Sequence, residues 1–147
     1  MKTLVMTLPC SGTHFLLHFL ANVLDLAGAN DMGSVESDVD FIHIHPNGQD
    51  IPKGIFDSVI MTVREPHKTL RTAQYRGLVD QVEGARKAMM NEQKKYKTKM
   101  LVVIDGPEKD RFPQLMKIAY HFDKSHLREA VKQYAKAWIP LNARGIG

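Results

Sequence analysis

At 147 residues, 44% of them apolar and 24% charged, the chain has the size and make-up of one globular domain and lacks the polar composition of a disordered one. Its net charge of +4 at pH 7 favours anionic ligands without singling out nucleic acid. One cysteine, Cys10, excludes an internal disulfide; no apolar run is long enough for a membrane span, and residues 1–6 lack the apolar core of a signal peptide, so a cytoplasmic location is expected.

Residues 2–8 are a β-compatible run. In residues 13–27, Phe15, Leu16, Phe19, Leu20, Val23, Leu24 and Ala27 recur at three- and four-residue spacing, which predicts strand, loop and amphipathic helix. Gly28 suits the helix end, and the stretch to Asp40, with Asp31, Gly33, Ser34, Glu36 and Asp38, reads as an acidic loop. Residues 41–45 alternate, placing Phe41, His43 and His45 on one face and Ile42 and Ile44 on the other, before the turn signal Pro46-Asn47-Gly48. Residues 58–63 are nearly continuously apolar, as in a strand covered on both faces, and Arg64-Glu65-Pro66 ends them.

From His67 to about Lys97 the pattern is helical, in two pieces broken near Gly77, with Leu78, Val82, Ala85 and Met89 as the inner stripe of the second. Residues 100–104 form another buried strand, closed by Asp105-Gly106-Pro107. Leu115, Ile118, Ala119 and Phe122 mark a helix beginning near Pro113, and Ser125 can cap a last helix carrying Leu127, Val131, Tyr134 and Trp138. The basic run Lys94, Lys95, Lys97 and Lys99 reads as a solvated helix end, with nucleic-acid contact the weaker alternative. The expected fold is α/β: a parallel sheet of about four to five strands with helices on both faces, whose ligands bind beyond the carboxyl ends of the strands.

The loop Leu8-Pro9-Cys10-Ser11-Gly12-Thr13 lies between the first strand and helix. Free backbone N–H groups and the helix dipole suit an anion there, Gly12 permits close approach, and Ser11 and Thr13 offer hydroxyls. An ordinary turn with Thr13 as helix cap is the other reading of this segment. No lysine follows the glycine, which disfavours a Walker-type ATP or GTP site.

Pro9-Cys10-Ser11-Gly12-Thr13-His14-Phe15 resembles the Pro-x-Ser-Gly-Thr-x-aromatic loop of the sulfotransferases, a P-loop-like fold family in which this loop grips the 5′-phosphosulfate of PAPS (3′-phosphoadenosine 5′-phosphosulfate). His43-Ile44-His45-Pro46 is similar to the family's Lys-x-His strand end, which implies His45 as the catalytic histidine and puts His43 in the lysine position. Arg64-Glu65-Pro66 with Thr72 resembles the Arg-x-Pro and Ser pattern that holds the 3′-phosphate, and Arg144-Gly145 resembles the C-terminal phosphate loop. Residues 100–105 and the helix after them also resemble the family's later elements. The resemblance implies PAPS as co-substrate and 3′,5′-ADP as product, with Pro9, Cys10, Ser11, Gly12, Thr13, His14, Arg64, Thr72 and Arg144 around the nucleotide. His45 would be general base toward a hydroxyl or amine acceptor, since imidazole suits proton transfer near neutral pH.

The chain departs from the family at two cations. Cys10 stands where Lys or Arg follows the loop proline, and His43 replaces the lysine. Losing one electrostatic donor lowers rate by ~100- to 1,000-fold, so a catalytically impaired nucleotide-binding or regulatory protein is the alternative function. A nucleotide kinase-like phosphotransferase is a second alternative, weakened by the missing lysine. Cys10, His14, His18, His43 and His45 also suit zinc by type, but the phosphate loop already accounts for Cys10, and no metal is expected.

Overall fold

The chain is described by a computed structural model over residues 2–35, 37–52 and 54–143, with the side chains of 138–143 outside that description. The strands are β1 (Lys2–Met6), β2 (Gly28–Ala29), β3 (Phe41–Ile44), β4 (Phe56–Val63) and β5 (Thr98–Val103). They form one parallel sheet in the order β2-β3-β1-β4-β5. The helices are α1 (Thr13–His18), α2 (Pro66–Arg76), α3 (Val79–Glu92), α4 (Glu108–His121) and α5 (Arg128–Ala143). No helix among the described residues is long and apolar enough to cross a membrane.

Strand alternation sorts the core into two layers. Val5, Phe41, Ile60, Met100 and Val102 meet Phe15, Leu16, Leu115 and Val131 on the α1, α4 and α5 side. Leu4, Met6, Ile42, Ile44, Val59 and Met61 face the other way and meet Ala85 and Met89 of α3. Both faces of the sheet are therefore covered, which is why its strands read as apolar runs. The connections from β1 and from its neighbour β4 leave in opposite directions, and their helices lie on opposite faces, as crossovers of one hand require. Their divergence opens a crevice above the carboxyl ends of β1 and β4.

Several boundaries differ from the sequence reading. β1 stops at Met6 and β3 at Ile44, which leaves Thr7, Leu8 and His45 in the loops above the sheet. α1 passes into a π-helical turn, Phe19–Val23, in which the Leu24 amide donates to the Phe19 carbonyl at 3.0 Å, and the chain turns away at Asp25 (φ 55°). Gly28 does not end that helix. It opens β2, because the Phe41 ring occupies the place of a side chain there; a Cβ would fall 2.1 Å from Phe41 Cζ. The acidic stretch thus holds a short strand and the 3₁₀ turn Met32–Ser34.

α4 begins at Glu108 with Pro107 as its N-cap, so Pro113 lies inside the helix. Its missing N–H releases only the carbonyl of Lys109, on an exposed turn where water can take its place. Ser125 opens the 3₁₀ turn Ser125–Leu127 and makes no capping bond. The lysine run occupies the exposed end of α3 and the start of β5, the edge of the sheet opposite the crevice, where Lys95 pairs with Glu92 at 2.9 Å.

α5 is clamped to α1 by Tyr134. Its ring stacks on Phe15 with centroids 4.8 Å apart, and its hydroxyl donates to the Phe15 carbonyl at 2.7 Å. Burial raises the phenol well above its ordinary range and keeps it a donor. Tyr134→Phe keeps the stack and loses the bond, at an expected cost of ~1 kcal/mol, while Tyr134→Ala also empties the packing site and costs ~3–5 kcal/mol. Urea unfolding of the two variants measures both steps.

Candidate functional site

The β1–α1 loop is closed on itself. The Leu8 carbonyl accepts from the Ser11 amide at 3.2 Å, the Ser11 hydroxyl at 2.7 Å and the Thr13 hydroxyl at 3.3 Å. The turn needs left-handed backbone at Cys10 (φ 66°) and Gly12 (φ 92°). Only glycine fits the second position, because Ile104 lies beneath it and a Cβ would fall 2.5 Å from Ile104 Cγ1. Gly12 is the N-cap of α1 and no side chain caps the helix, so Thr13 is not the cap. The amides of Gly12, Thr13 and His14 therefore begin the helix at positions that have no intrahelical acceptor. Ser11 differs from expectation: its buried hydroxyl also meets Thr62 Oγ1 at 2.9 Å, so it braces the loop against β4 and does not face the crevice.

His43 and His45 both gather at Thr7. The Thr7 hydroxyl meets Thr13 Oγ1 and His43 Nε2, each at 2.8 Å, and His43 Nδ1 lies 3.3 Å from Asn30 Oδ1. Facing that amide oxygen, Nδ1 carries the proton and Nε2 accepts from Thr7. Burial, reinforced by the nearby His45 and His14 rings, lowers the His43 pKa from 6.5 to about 4. At neutral pH it carries no charge, so it supplies no cation in the lysine position.

His45 is exposed, and its Nδ1 lies 2.7 Å from the Thr7 carbonyl, an obligate acceptor. Nδ1 must therefore donate. That fixes the tautomer in which Nε2 holds the lone pair on the solvent side.

On the other flank, Arg64 Nη1 donates to the Cys10 carbonyl at 2.7 Å and to Thr72 Oγ1 at 3.4 Å, while the Thr72 hydroxyl donates to the Lys68 carbonyl at 3.1 Å. Arg64 Nε is buried without a partner. The Asp105 carboxylate beyond β5 accepts from the Glu65 amide at 3.0 Å, which fixes the start of α2 beside the loop. Arg144 lies outside the described residues.

The Cys10 side chain, 6% exposed, turns into an apolar corner formed by Ala73 of α2 and Val82 of α3. His18 bonds Asn22 instead of approaching the strand histidines. Among the described residues, no cluster of three His, Cys, Asp or Glu side chains is arranged for a metal ion.

A cleft of about 350 Å³ lies beside the loop, lined by Pro9, Cys10, Thr13, His14, His43 and His45, and by Asn30 and Arg76, which the sequence reading missed. A second space of about 570 Å³ lies beyond His45, between the Pro46-Asn47-Gly48 turn and α3. His45 lines both.

The neutral state of His43 has a thermodynamic consequence. Unfolded, the residue protonates near 6.5; folded, only near pH 4. Between those values the unfolded chain binds the extra proton, so stability is complete above the window and falls with pH by up to ~3 kcal/mol. His43→Asn should flatten this part of the stability-versus-pH curve, measured by urea unfolding from pH 4 to 7.

No family model matches the chain, and no curated protein does. Among solved structures it is similar to the mouse sulfotransferase SULT7A1 complexed with PAP, at a TM-score of 0.61 and 15% identity. The match covers 90% of this chain and 63% of that one, so the chain spans less than two thirds of its neighbour's length. At that identity the likeness establishes architecture: the chain has a sulfotransferase-like α/β fold.

Proposed function

We propose that the chain is a PAPS-dependent sulfotransferase that moves a sulfuryl group to a hydroxyl or amine acceptor and releases 3′,5′-ADP. The observation that carries this reading is His45, which lines the cleft beside the loop and whose Nδ1 is held by the Thr7 carbonyl, leaving Nε2 as the nitrogen able to accept a proton. The nucleotide's terminal groups fit what surrounds it. The amides of Gly12, Thr13 and His14 suit the 5′-phosphate. Arg64, with its unpartnered buried Nε, and Thr72 suit the 3′-phosphate. That the structural neighbour holds PAP supports the same class of guest.

In the reaction, His45 Nε2 takes the acceptor's proton as the acceptor oxygen or nitrogen bonds to sulfur. The bond from sulfur to the 5′-phosphate oxygen opens, and its electron pair stays on that oxygen. Ser11 and Thr7 do not touch the reacting atoms; they hold the loop and His45 in place. The larger space beyond His45 suits the acceptor.

A nucleotide-binding protein without transfer is the second reading, favoured by the buried Cys10 side chain and the neutral His43, which leave both family cation positions uncharged. A kinase-like activity lacks the loop lysine. Calorimetry with 3′,5′-ADP, PAPS and ATP tests the site. Arg64→Ala should weaken 3′,5′-ADP by ~10- to 100-fold, and His45→Ala should leave binding intact while lowering transfer ~100- to 10,000-fold. Binding with no transfer by the native chain selects the second reading, and no binding of any adenine nucleotide overturns both.

A further inference from the structure

We propose that Arg76 supplies the positive charge of the transfer cleft, its guanidinium binding the sulfonate oxygens of the donor in place of the cation absent at Cys10. This rests on the sulfotransferase reading above. It follows from where the chain puts charge. At the loop position, the Cys10 side chain is packed into the α2–α3 corner among Ala73, Val82, Leu78 and Val79 and is no cation. At the strand position, His43 is buried among Thr7, Asn30 and His45. Neither offers a cation.

The corner that receives Cys10 is the turn that carries Arg76. α2 ends in a Schellman turn: the Gly77 amide donates to the Gln74 carbonyl at 3.2 Å, the Leu78 amide to the Ala73 carbonyl at 2.7 Å, and Gly77 takes the left-handed φ of 70° that the motif requires. Ala73 and Leu78 then close on Cys10, so this turn is held against the loop by direct packing. Arg76, between them, lines the same cleft as Cys10, Thr13, His14 and His45.

Among the described residues, Arg76 is also the only side chain with a permanent charge in that lining, and no carboxylate shares it. Among the described residues no hydrogen bond or ion pair occupies its guanidinium, whereas Arg64 and Arg111 are both engaged with backbone carbonyls. A planar fork of N–H donors matches two oxygens of a sulfonate, and an unpaired one beside the phosphate loop is free to take them.

The donor and its product separate this role from that of Arg64, because 3′,5′-ADP carries both phosphates and lacks the sulfonate. Arg76→Gln removes an exposed charge at small risk to folding, so calorimetry of the native chain and this variant with both nucleotides is the experiment. Expected in Arg76→Gln is 3′,5′-ADP affinity within about twofold of native, PAPS affinity lower by ~10-fold or more, and sulfate transfer lower by ~100-fold. Arg76→Lys should recover part of both losses. An unchanged ratio of PAPS to 3′,5′-ADP affinity in Arg76→Gln overturns the role of Arg76 and leaves the nucleotide site standing. Failure of the native chain to bind 3′,5′-ADP overturns the underlying reading and this inference with it.

Discussion

The Leu8 carbonyl, receiving the amide and the hydroxyl of Ser11 with the Thr13 hydroxyl 3.3 Å away, holds the chain reversal on which the carboxyl edge of the sheet depends. The reversal costs free energy at Cys10, a side-chain-bearing residue in left-handed backbone, by ~1–2 kcal/mol. Two contacts offset that cost. Arg64 takes the Cys10 carbonyl, and the Cys10 side chain is buried in the α2–α3 corner. Ser11 adds a tie to Thr62, so the loop is fastened to β4 and to the helix pair after it. Its shape is set before any ligand arrives, and donors that need no rearrangement are worth most to an incoming anion.

Thr7 does for the histidines what Leu8 does for the loop. Its carbonyl and hydroxyl divide two imidazoles, one on β3 and one just beyond its end, into different states: His43 inside a polar string from Asn30 to Thr13, His45 outside it with one nitrogen committed and the other open. The two residues have the same chemistry and are separated only by one position. Their environments give one a positioning role and the other a lone pair able to accept a proton.

How much of this could be read from the sequence depends on whether a feature repeats. The parallel sheet, its two-sided burial, the alternation of β3 and the helix break at Gly77 each leave a periodic or punctuating signature. β2 leaves none, since it pairs over Gly28 and Ala29 alone in an otherwise loop-like stretch. Yet its register brings Asn30 level with His43. The helix start at Glu108 was hidden because Pro113 imitates a first-turn proline. The π turn after α1 uses the same apolar spacing as an α-helix. Arg76 looks like any surface arginine near a helix end until the Schellman turn and Cys10 are packed together; its position is tertiary information. The positions of the β1–α1 loop, Arg64 and His45 beyond strand ends were legible because the strands before them leave apolar or alternating runs, whereas Thr72 lies in α2.

The two departures from the family pattern also fit one another. A base that accepts a proton becomes a cation, and the His43 and His45 rings are 4.9 Å apart, edge to face. A charged residue at position 43 would oppose that step by ~3 kcal/mol at an effective dielectric of about 20. On the proposed sulfotransferase reading, a buried, neutral His43 removes that repulsion from His45 as base and places no charge beside the donor. The compensating charge then has to stand where it attracts an anion without crowding His45. The end of α2 is the proposed place for it, because that turn packs on Cys10 and brings Arg76 into the lining of the cleft on a different element from the Thr7 cluster that holds both imidazoles.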